Sequence, residues 1–492
     1  MNLNLKKTGA ICGPLVFFLV LFFFHPEGLT KEANAILAST LWVAIWWITE
    51  PVPIAVTSLL PIILFPLSGG MDIKTTTAAF GNHTIFLYTG GFILAIAIQK
   101  WNLHKRIALT IIHIIGTNVK TMILGFMIAT AFLSMWISNT ATSVMMLPIG
   151  IAIISQLTDN PNTIENENKI FGKALMLSIA YSASIGGIAT LIGTPTNLIL
   201  AGIVKEVYNF EITFTNWVII GLPIAILMLF ISWYYLTHIA FPFKQKTFPG
   251  GKDEIKKQLD ALGKLSFEEK MVLVVFVCTA FSWITRSFLL KHIIPPINDT
   301  IIAMIAAISL FILPSKEKGK PIMDWSSAVK LPWGILLLFG GGLALASGFK
   351  ESGLALWIGT QMTLLQGVSL IVLLAFIVTA VNFLTEITSN VATTSMLLPV
   401  LASMALSLEV HPFILMIGAT IAASCAFMLP VATPPNAVVF GSGYLSIPDM
   451  MKKGFWLNLI SIFLIIVITY YLLPSLWNFD PSTFPQDFNR DL

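Results

Sequence analysis

Ser138-Asn139-Thr140-Ala141-Thr142-Ser143, running on to Leu147-Pro148, has a counterpart in the other half of the chain: Ser389-Asn390-Val391-Ala392-Thr393-Thr394, running on to Leu398-Pro399. The spacing from Ser to Pro is the same in both. Each copy sits in the middle of an apolar stretch, 119–157 and 367–407. A polar break at that place reads as the tip of a helical hairpin that enters and leaves a membrane on one side. A second matched pair follows the hairpins. Gly193-Thr194-Pro195-Thr196-Asn197 interrupts the apolar run 174–202, and Ala432-Thr433-Pro434-Pro435-Asn436 interrupts the run 411–444. Hairpin, then Thr-Pro-x-Asn break, therefore occurs twice in the same order, which is the mark of an internal repeat.

The composition around these stretches fits a membrane body. Of 492 residues, 56% are hydrophobic and 11% charged, and mean hydropathy is +0.86. An ordinary soluble domain carries roughly a quarter charged residues, so the chain lacks the means to build a charged shell. A secreted scaffold, a disordered chain and a nucleic-acid binder are excluded. Net charge is +4, with Lys and Arg in short clusters. Cys12, Cys278 and Cys425 lie in apolar runs without metal spacing and read as free thiols.

A helix needs about 20 mostly apolar residues to cross the bilayer. Spans are expected near 9–25, 34–49, 52–68, 84–100, 174–202, 216–240, 269–290, 299–314, 331–350, 411–444 and 455–474. Lys6-Lys7 before 12–24 imitates a signal peptide, but the small-residue site Ala33-Asn34-Ala35 lies too far downstream, so a retained first helix is expected. The short-loop lysines and arginines (Lys6, Lys7, Lys100, Lys105, Arg106, Lys244 to Lys270, Lys316, Lys318, Lys320, Lys452, Lys453) fall on one side on this count. That places the N-terminus in the cytoplasm and the C-terminus outside a plasma (inner) membrane. The first hairpin then opens from the inside and the second from the outside. The expected fold is an all-α polytopic membrane protein: eleven transmembrane helices plus two re-entrant helical hairpins in an inverted two-fold repeat. Residues 1–240 form the first repeat, 241–268 a cytoplasmic linker carrying Pro242, Pro249, Gly250 and Gly251, and 269–492 the second repeat.

Broken membrane helices expose amides and carbonyls, and survive only where protein or a wet cavity satisfies them. In inverted repeats such breaks place ion and substrate sites near the midplane. Helix N-termini favour an anion there, and carbonyl-rich ends favour a cation. One Ser-Asn pair alone would read as helix packing; four matched breaks point to a site. No Lys or Arg lies at a tip or a break. An anion would therefore rest on neutral donors, helix ends and bound cations, because an unpaired buried charge is costly. Na⁺ suits an oxygen-only ligand set, and no His, Cys or carboxylate cluster offers a transition-metal site. Glu386, three residues before Ser389, reads as a proton relay or as a hairpin-end residue facing water. Gly340-Gly341-Gly342 has no following Lys-Ser/Thr, so it reads as a close helix approach rather than a phosphate loop. A hydrolase using Ser138 or Ser389 would need a base, and no His or Lys accompanies either serine. No catalytic residue is expected.

At these residues the sequence resembles the divalent anion/sodium symporter family, particularly its bacterial dicarboxylate transporters. Both Ser-Asn tips, both Thr-Pro breaks and the run from Ala423 to Val439 carry the likeness. The resemblance implies a homodimer in which a transport domain moves like an elevator against a scaffold. Scaffold helices would occupy about 1–118 and 269–350, and the hairpins and transport helices about 119–240 and 367–474. It implies one sodium site per repeat: Ser134, Ser138, Asn139 and Gly193 in the first, and Thr385, Ser389, Asn390 and Ala432 in the second. Gly193 and Ala432 would serve through backbone carbonyls. Substrate carboxylates would meet Asn139, Thr140, Thr194, Ser389, Asn390, Thr433 and Pro434. Val391 stands at the second tip where the first has Thr140, which removes a hydroxyl and adds an apolar wall. The implied function is sodium-coupled uptake of C4-dicarboxylates such as succinate, fumarate or malate. Citrate or sulfate as substrate, and a sodium-independent dicarboxylate exchanger, stay open on the same fold.

Overall fold

A computed structural model describes residues 3–116, 118–158, 165–243, 251–317, 319–362 and 367–491. These residues are helical almost throughout, with an isolated β-bridge between Pro314 and Pro321. Eight helices among them are long and apolar enough to cross a membrane.

The two hairpins form where the polar breaks fall. In the first, Val119–Ser134 and Asn139–Thr158 flank the tip. Asn118 starts it with a capping box, its side chain accepting from the Thr121 amide. In the second, Leu370–Leu384 and Asn390–Ser407 flank the tip, and Ser389 caps the returning arm by accepting from the Ala392 amide.

The expected span 174–202 is two helices, Glu165–Ile188 and Pro195–Tyr208, with 189–194 unwound. The expected span 411–444 is likewise Pro412–Ala423 and Pro434–Phe440. Pro412–Ala423 has 12 residues, about 18 Å of helix at 1.5 Å per residue, well short of the ~30 Å hydrocarbon core. The breaks have a local cause. A residue preceding proline is pushed out of the helical region, and proline is well placed at the first helical position. Thr194 (φ −136°, ψ 146°) and Thr433 (φ −139°, ψ 149°) adopt nearly the same extended conformation.

Other boundaries differ from expectation. The segment 52–68 is broken at Ser58–Leu59 into Ile54–Thr57 and Leu60–Ser68, because Pro53 and Pro61 each set a helix start. Leu103–Ile115 is an additional helix whose buried face is Leu103, His104, Ala108, Leu109 and Ile112. Leu354–Gln361 is its counterpart before the second hairpin. Both are too short to register as spans, and the first also carries Lys105 and Arg106. The linker contains the helix Gly251–Ala261, which packs on Leu103–Ile115 and on the returning arm of the first hairpin. Pro249 and Gly250 lie outside the described residues.

Packing between the halves is reciprocal. The returning arm of the first hairpin lies against Pro434–Phe440, and that of the second lies against Pro195–Tyr208. Each hairpin thus supports the helix that follows the other repeat's break. The run Gly340-Gly341-Gly342 in the helix Trp333–Glu351 serves close approach: a Cβ on Gly341 would come 2.5 Å from the Ser58 carbonyl oxygen, and one on Gly342 2.9 Å from Ser395 Oγ. Cys12, Cys278 and Cys425 are free.

Candidate functional site

Unwound backbone inside a membrane must find partners in the protein, and both breaks do. Asn197 Nδ2 donates to the carbonyls of Gly187 (3.1 Å) and Thr190 (2.8 Å). Asn436 Nδ2 donates to those of Ala426 (3.2 Å) and Leu429 (3.0 Å). The final Asn of each Thr-Pro-x-Asn motif is therefore a clasp that closes its own break, a role the sequence reading left unassigned. Trp217 Nε1 takes the Ile188 carbonyl at 2.9 Å and Asn382 Nδ2 takes the Cys425 carbonyl at 2.6 Å. The repeats are also joined across the breaks, by Thr196 Oγ1 to Ser424 Oγ at 2.9 Å and by the Tyr181 hydroxyl to the Phe427 carbonyl at 2.9 Å.

At the first tip the structure brings Ser134, Asn139 and Gly193 together and adds Ala183. Ser134 Oγ donates to the Ala183 carbonyl at 2.7 Å. The Asn139 amide sets its nitrogen inward, donating to Ser134 Oγ at 2.6 Å and to the carbonyls of Gly193 and Ala183 at 3.2 Å each. One hydroxyl and two carbonyls thus converge on a single amide, an oxygen set of the kind that suits a small hard cation. Gly187 backs this corner: a Cβ there would stand 2.7 Å from Asn139 Oδ1. Ser138 stays out of the cluster, its Oγ accepting from the Ala141 amide at 3.3 Å.

The second tip is set differently. Thr385 Oγ1 donates to the Ala423 carbonyl at 3.1 Å, as Ser134 does to Ala183. Asn390 keeps its oxygen on the Val391 amide at 2.9 Å, and Ser389 Oγ accepts from Ala392. Ala432 is buried at the end of its break.

Of the expected anion-binding groups, Thr140 and Pro434 are exposed, while Asn139, Ser389, Asn390 and Val391 are half-buried. Thr194 Oγ1 is buried and has no hydrogen-bond partner, whereas Thr433 Oγ1 accepts from the Asn436 amide.

Glu386 does not face water; it is 3% exposed. Its Oε1 accepts from the amides of Phe427 (2.8 Å) and Met428 (3.0 Å) and from Asn458 Nδ2 (2.7 Å), and its Oε2 accepts from the Leu429 amide at 2.9 Å. Four donors converge on it, an arrangement met by an acceptor-only carboxylate. It ties the second hairpin tip to the second break and to the last long helix, Ile447–Val467. Met135, at the matching place before Ser138, has no such group; there Thr190 Oγ1 donates to the Met135 carbonyl at 2.5 Å.

Two hairpins, two clasped breaks and an oxygen-lined tip inside an apolar helical body define a membrane transporter rather than an enzyme. The chain belongs to the family described as the sodium:sulfate symporter transmembrane region, whose model matches residues 6–477. Similar curated proteins include the sodium-dependent dicarboxylate transporter SdcS of Staphylococcus saprophyticus, 51% identical over 481 residues, covering 96% of this chain and 93% of that one. SdcS of Staphylococcus aureus strain USA300 is 50% identical over 481 residues, covering 96% and 92%. Among solved structures, the fold is similar to Neisseria gonorrhoeae MtrF (TM-score 0.57, 13% identity, 95% of each chain). It is also similar to Alcanivorax borkumensis YdaH (TM-score 0.58, 13% identity, 97% of this chain and 98% of that one).

Proposed function

We propose that the protein is a secondary active transporter that carries C4-dicarboxylates into the cell together with sodium. The observation that carries this reading is the convergence of the Ser134 hydroxyl and the Ala183 and Gly193 carbonyls on the Asn139 amide. Sodium taken there turns the Asn139 oxygen inward and frees its nitrogen for a substrate carboxylate. Thr194 Oγ1, buried and unpartnered, is a second donor beside it. Ser138 completes the first cation set once its Oγ leaves the Ala141 amide, and Thr385, Ser389, Asn390 and Ala432 form the second once Asn390 leaves the Val391 amide. Substrate carboxylates then meet Asn139, Thr140, Thr194, Ser389, Asn390, Thr433 and Pro434, with Val391 as an apolar wall. The SdcS relatives, half identical over nearly the whole chain, carry sodium dependence and dicarboxylates in their name.

In this reading the repeats 1–240 and 269–492 are inverted, with the linker 241–268 and the N-terminus in the cytoplasm and the C-terminus outside. The hairpin and transport portions move together, as an elevator, against the scaffold portions of a homodimer. Small residues line the boundary: a Cβ on Gly202 would come 2.8 Å from Phe339. Two sodium ions neutralise a dianion; a third makes each cycle electrogenic, adding ~2.3 kcal/mol per charge per 100 mV.

Uptake of labelled succinate by proteoliposomes, in sodium against choline buffer, tests the proposal. Uptake in sodium alone is expected, and Asn139→Ala or Asn390→Ala abolishes it. Equal uptake in both buffers overturns sodium coupling. The engagement of Asn390 with Val391 favours one second reading, a sodium-independent exchanger, for which uptake requires internal counter-substrate.

A further inference from the structure

Tyr235–Ala240 is π-helical, a form that recurs at functional sites. Between it and the first turns of Ile447–Val467 lies a groove of about 860 Å³, inside the ~300–1,000 Å³ range of ligand sites. Its walls are apolar and face outward: Ile239 is 63% and Trp456 57% exposed, with Phe455 between. Its rim is basic, formed by Lys452 and Lys453. The charges at this end are unequally matched. Lys173 is neutralised by Asp449 at 2.9 Å. Among the described residues the Lys452 ammonium has no hydrogen-bond or ion-pair partner, and the Lys453 ammonium has only the face of Phe241, 5.3 Å from the ring centroid.

Two unneutralised lysines above an outward-facing apolar furrow match one chemistry, an anionic headgroup joined to acyl chains. Zwitterionic lipid offers the same chains with no net charge to set against two ammonium groups. Basic pockets between membrane helices hold anionic headgroups in this way. We infer that the groove is a binding site for one anionic glycerophospholipid, its phosphate on Lys452 and Lys453 and an acyl chain along Ile239, Phe455 and Trp456. The floor of the groove includes Met428, whose amide is held by Glu386. The bound chain therefore presses on the outer side of the second break.

Lipid binding can be read without transport, so it stands or falls apart from the proposed function. The intact protein in mild detergent is titrated with phosphatidylglycerol or phosphatidylcholine and followed by native mass spectrometry. One phosphatidylglycerol retained per chain, and no phosphatidylcholine, is the expected result. Lys452→Gln with Lys453→Gln loses it at least tenfold, while Lys6→Gln with Lys7→Gln keeps it. Equal retention by the groove variant, or equal retention of both lipids, overturns the site. If the double variant does not fold, the wild-type protein decides: dibrominated phosphatidylglycerol quenches the fluorescence that Trp456→Phe removes, and an absence of quenching overturns the proposal. A Lys452→Cys chain that cross-links to a second copy through this residue would assign the groove to a protein interface and also overturn it.

Discussion

Thr196 Oγ1 and Ser424 Oγ lie 2.9 Å apart, one in the first turn after the first break and the other at the end of the helix before the second. Residues 228 positions apart in the chain thus fasten the two unwound segments to each other at the centre of the molecule. Replacing Thr196 by Val keeps the shape and leaves Ser424 only a 3.4 Å bond to the Thr420 carbonyl. A loss of about 1 kcal/mol is expected. Thermal unfolding in detergent should show a lower midpoint for Thr196→Val and recovery in Thr196→Ser. An unchanged midpoint in Thr196→Val would show that the hydroxyl pair adds nothing.

Gly187 is a test of the first cation cluster that touches none of its ligands by substitution. A Cβ at this position would stand 2.7 Å from Asn139 Oδ1 and 2.9 Å from its Nδ2. Gly187→Ala therefore pushes the amide away from Ser134, Ala183 and Gly193. The sodium concentration for half-maximal uptake should rise at least tenfold. Gly334→Ala, whose Cβ would meet only Ala55 at 3.4 Å, is the control and should behave as wild type.

Glu386 distinguishes an anchor from a proton carrier. Glu386→Gln presents a donor to a ring of amides that needs acceptors, and charge-assisted bonds of this kind are worth about 1.5–3 kcal/mol each. Transport should fall more than tenfold at every pH between 5.5 and 8, with a lowered unfolding midpoint. A proton relay would instead leave the fold intact and change the shape of the pH profile.

The division into moving and fixed parts has its own test. Thr215 Oγ1 donates to the carbonyls of Trp283 at 3.1 Å and Ile284 at 3.2 Å, across the proposed boundary. Beside it Arg286 pairs with Glu211 at 2.8 Å, and the Phe214 amide donates to Asp299 at 2.7 Å. With Cys12 and Cys278 replaced by Ser, Thr215→Cys joined to Ile284→Cys by a short reducible cross-linker should stop uptake, and reductant should restore it. Full-rate uptake by the cross-linked protein would rule out relative motion at this boundary.

Asn197 and Asn436 should be equivalent. Each spans its break with one side-chain amide, so Asn→Ala removes the donor of the Gly187 carbonyl in one and of the Ala426 carbonyl in the other, while Thr190 and Leu429 keep backbone donors, at about 1–3 kcal/mol per unsatisfied group. Both variants should lower the unfolding midpoint, and both should lose uptake through the break they release.

Residue order carries the tips and the breaks of this fold. Local chemistry decides where an apolar helix must stop: proline after Thr194 and after Thr433 forces the preceding residue out of the helical region, and the Ser-Asn tips offer side chains that cap a new start. Those signals are short-range, so the hairpins and breaks were legible from residue order, and their repetition pointed to a site. Helices such as Leu103–Ile115 were not, because 13 residues carrying Lys105 and Arg106 fall short of the length and apolarity of a span. Tertiary structure alone decided which groups converge. Ala183 joined Ser134 and Asn139 from a different helix, the Asn197 and Asn436 clasps faced their own breaks, and Glu386 turned from water to the amides of Phe427 to Leu429. Such partnerships depend on the distance and direction of groups far apart in the chain. A buried polar atom takes whatever partner the packed fold brings within reach, and residue order does not carry that geometry.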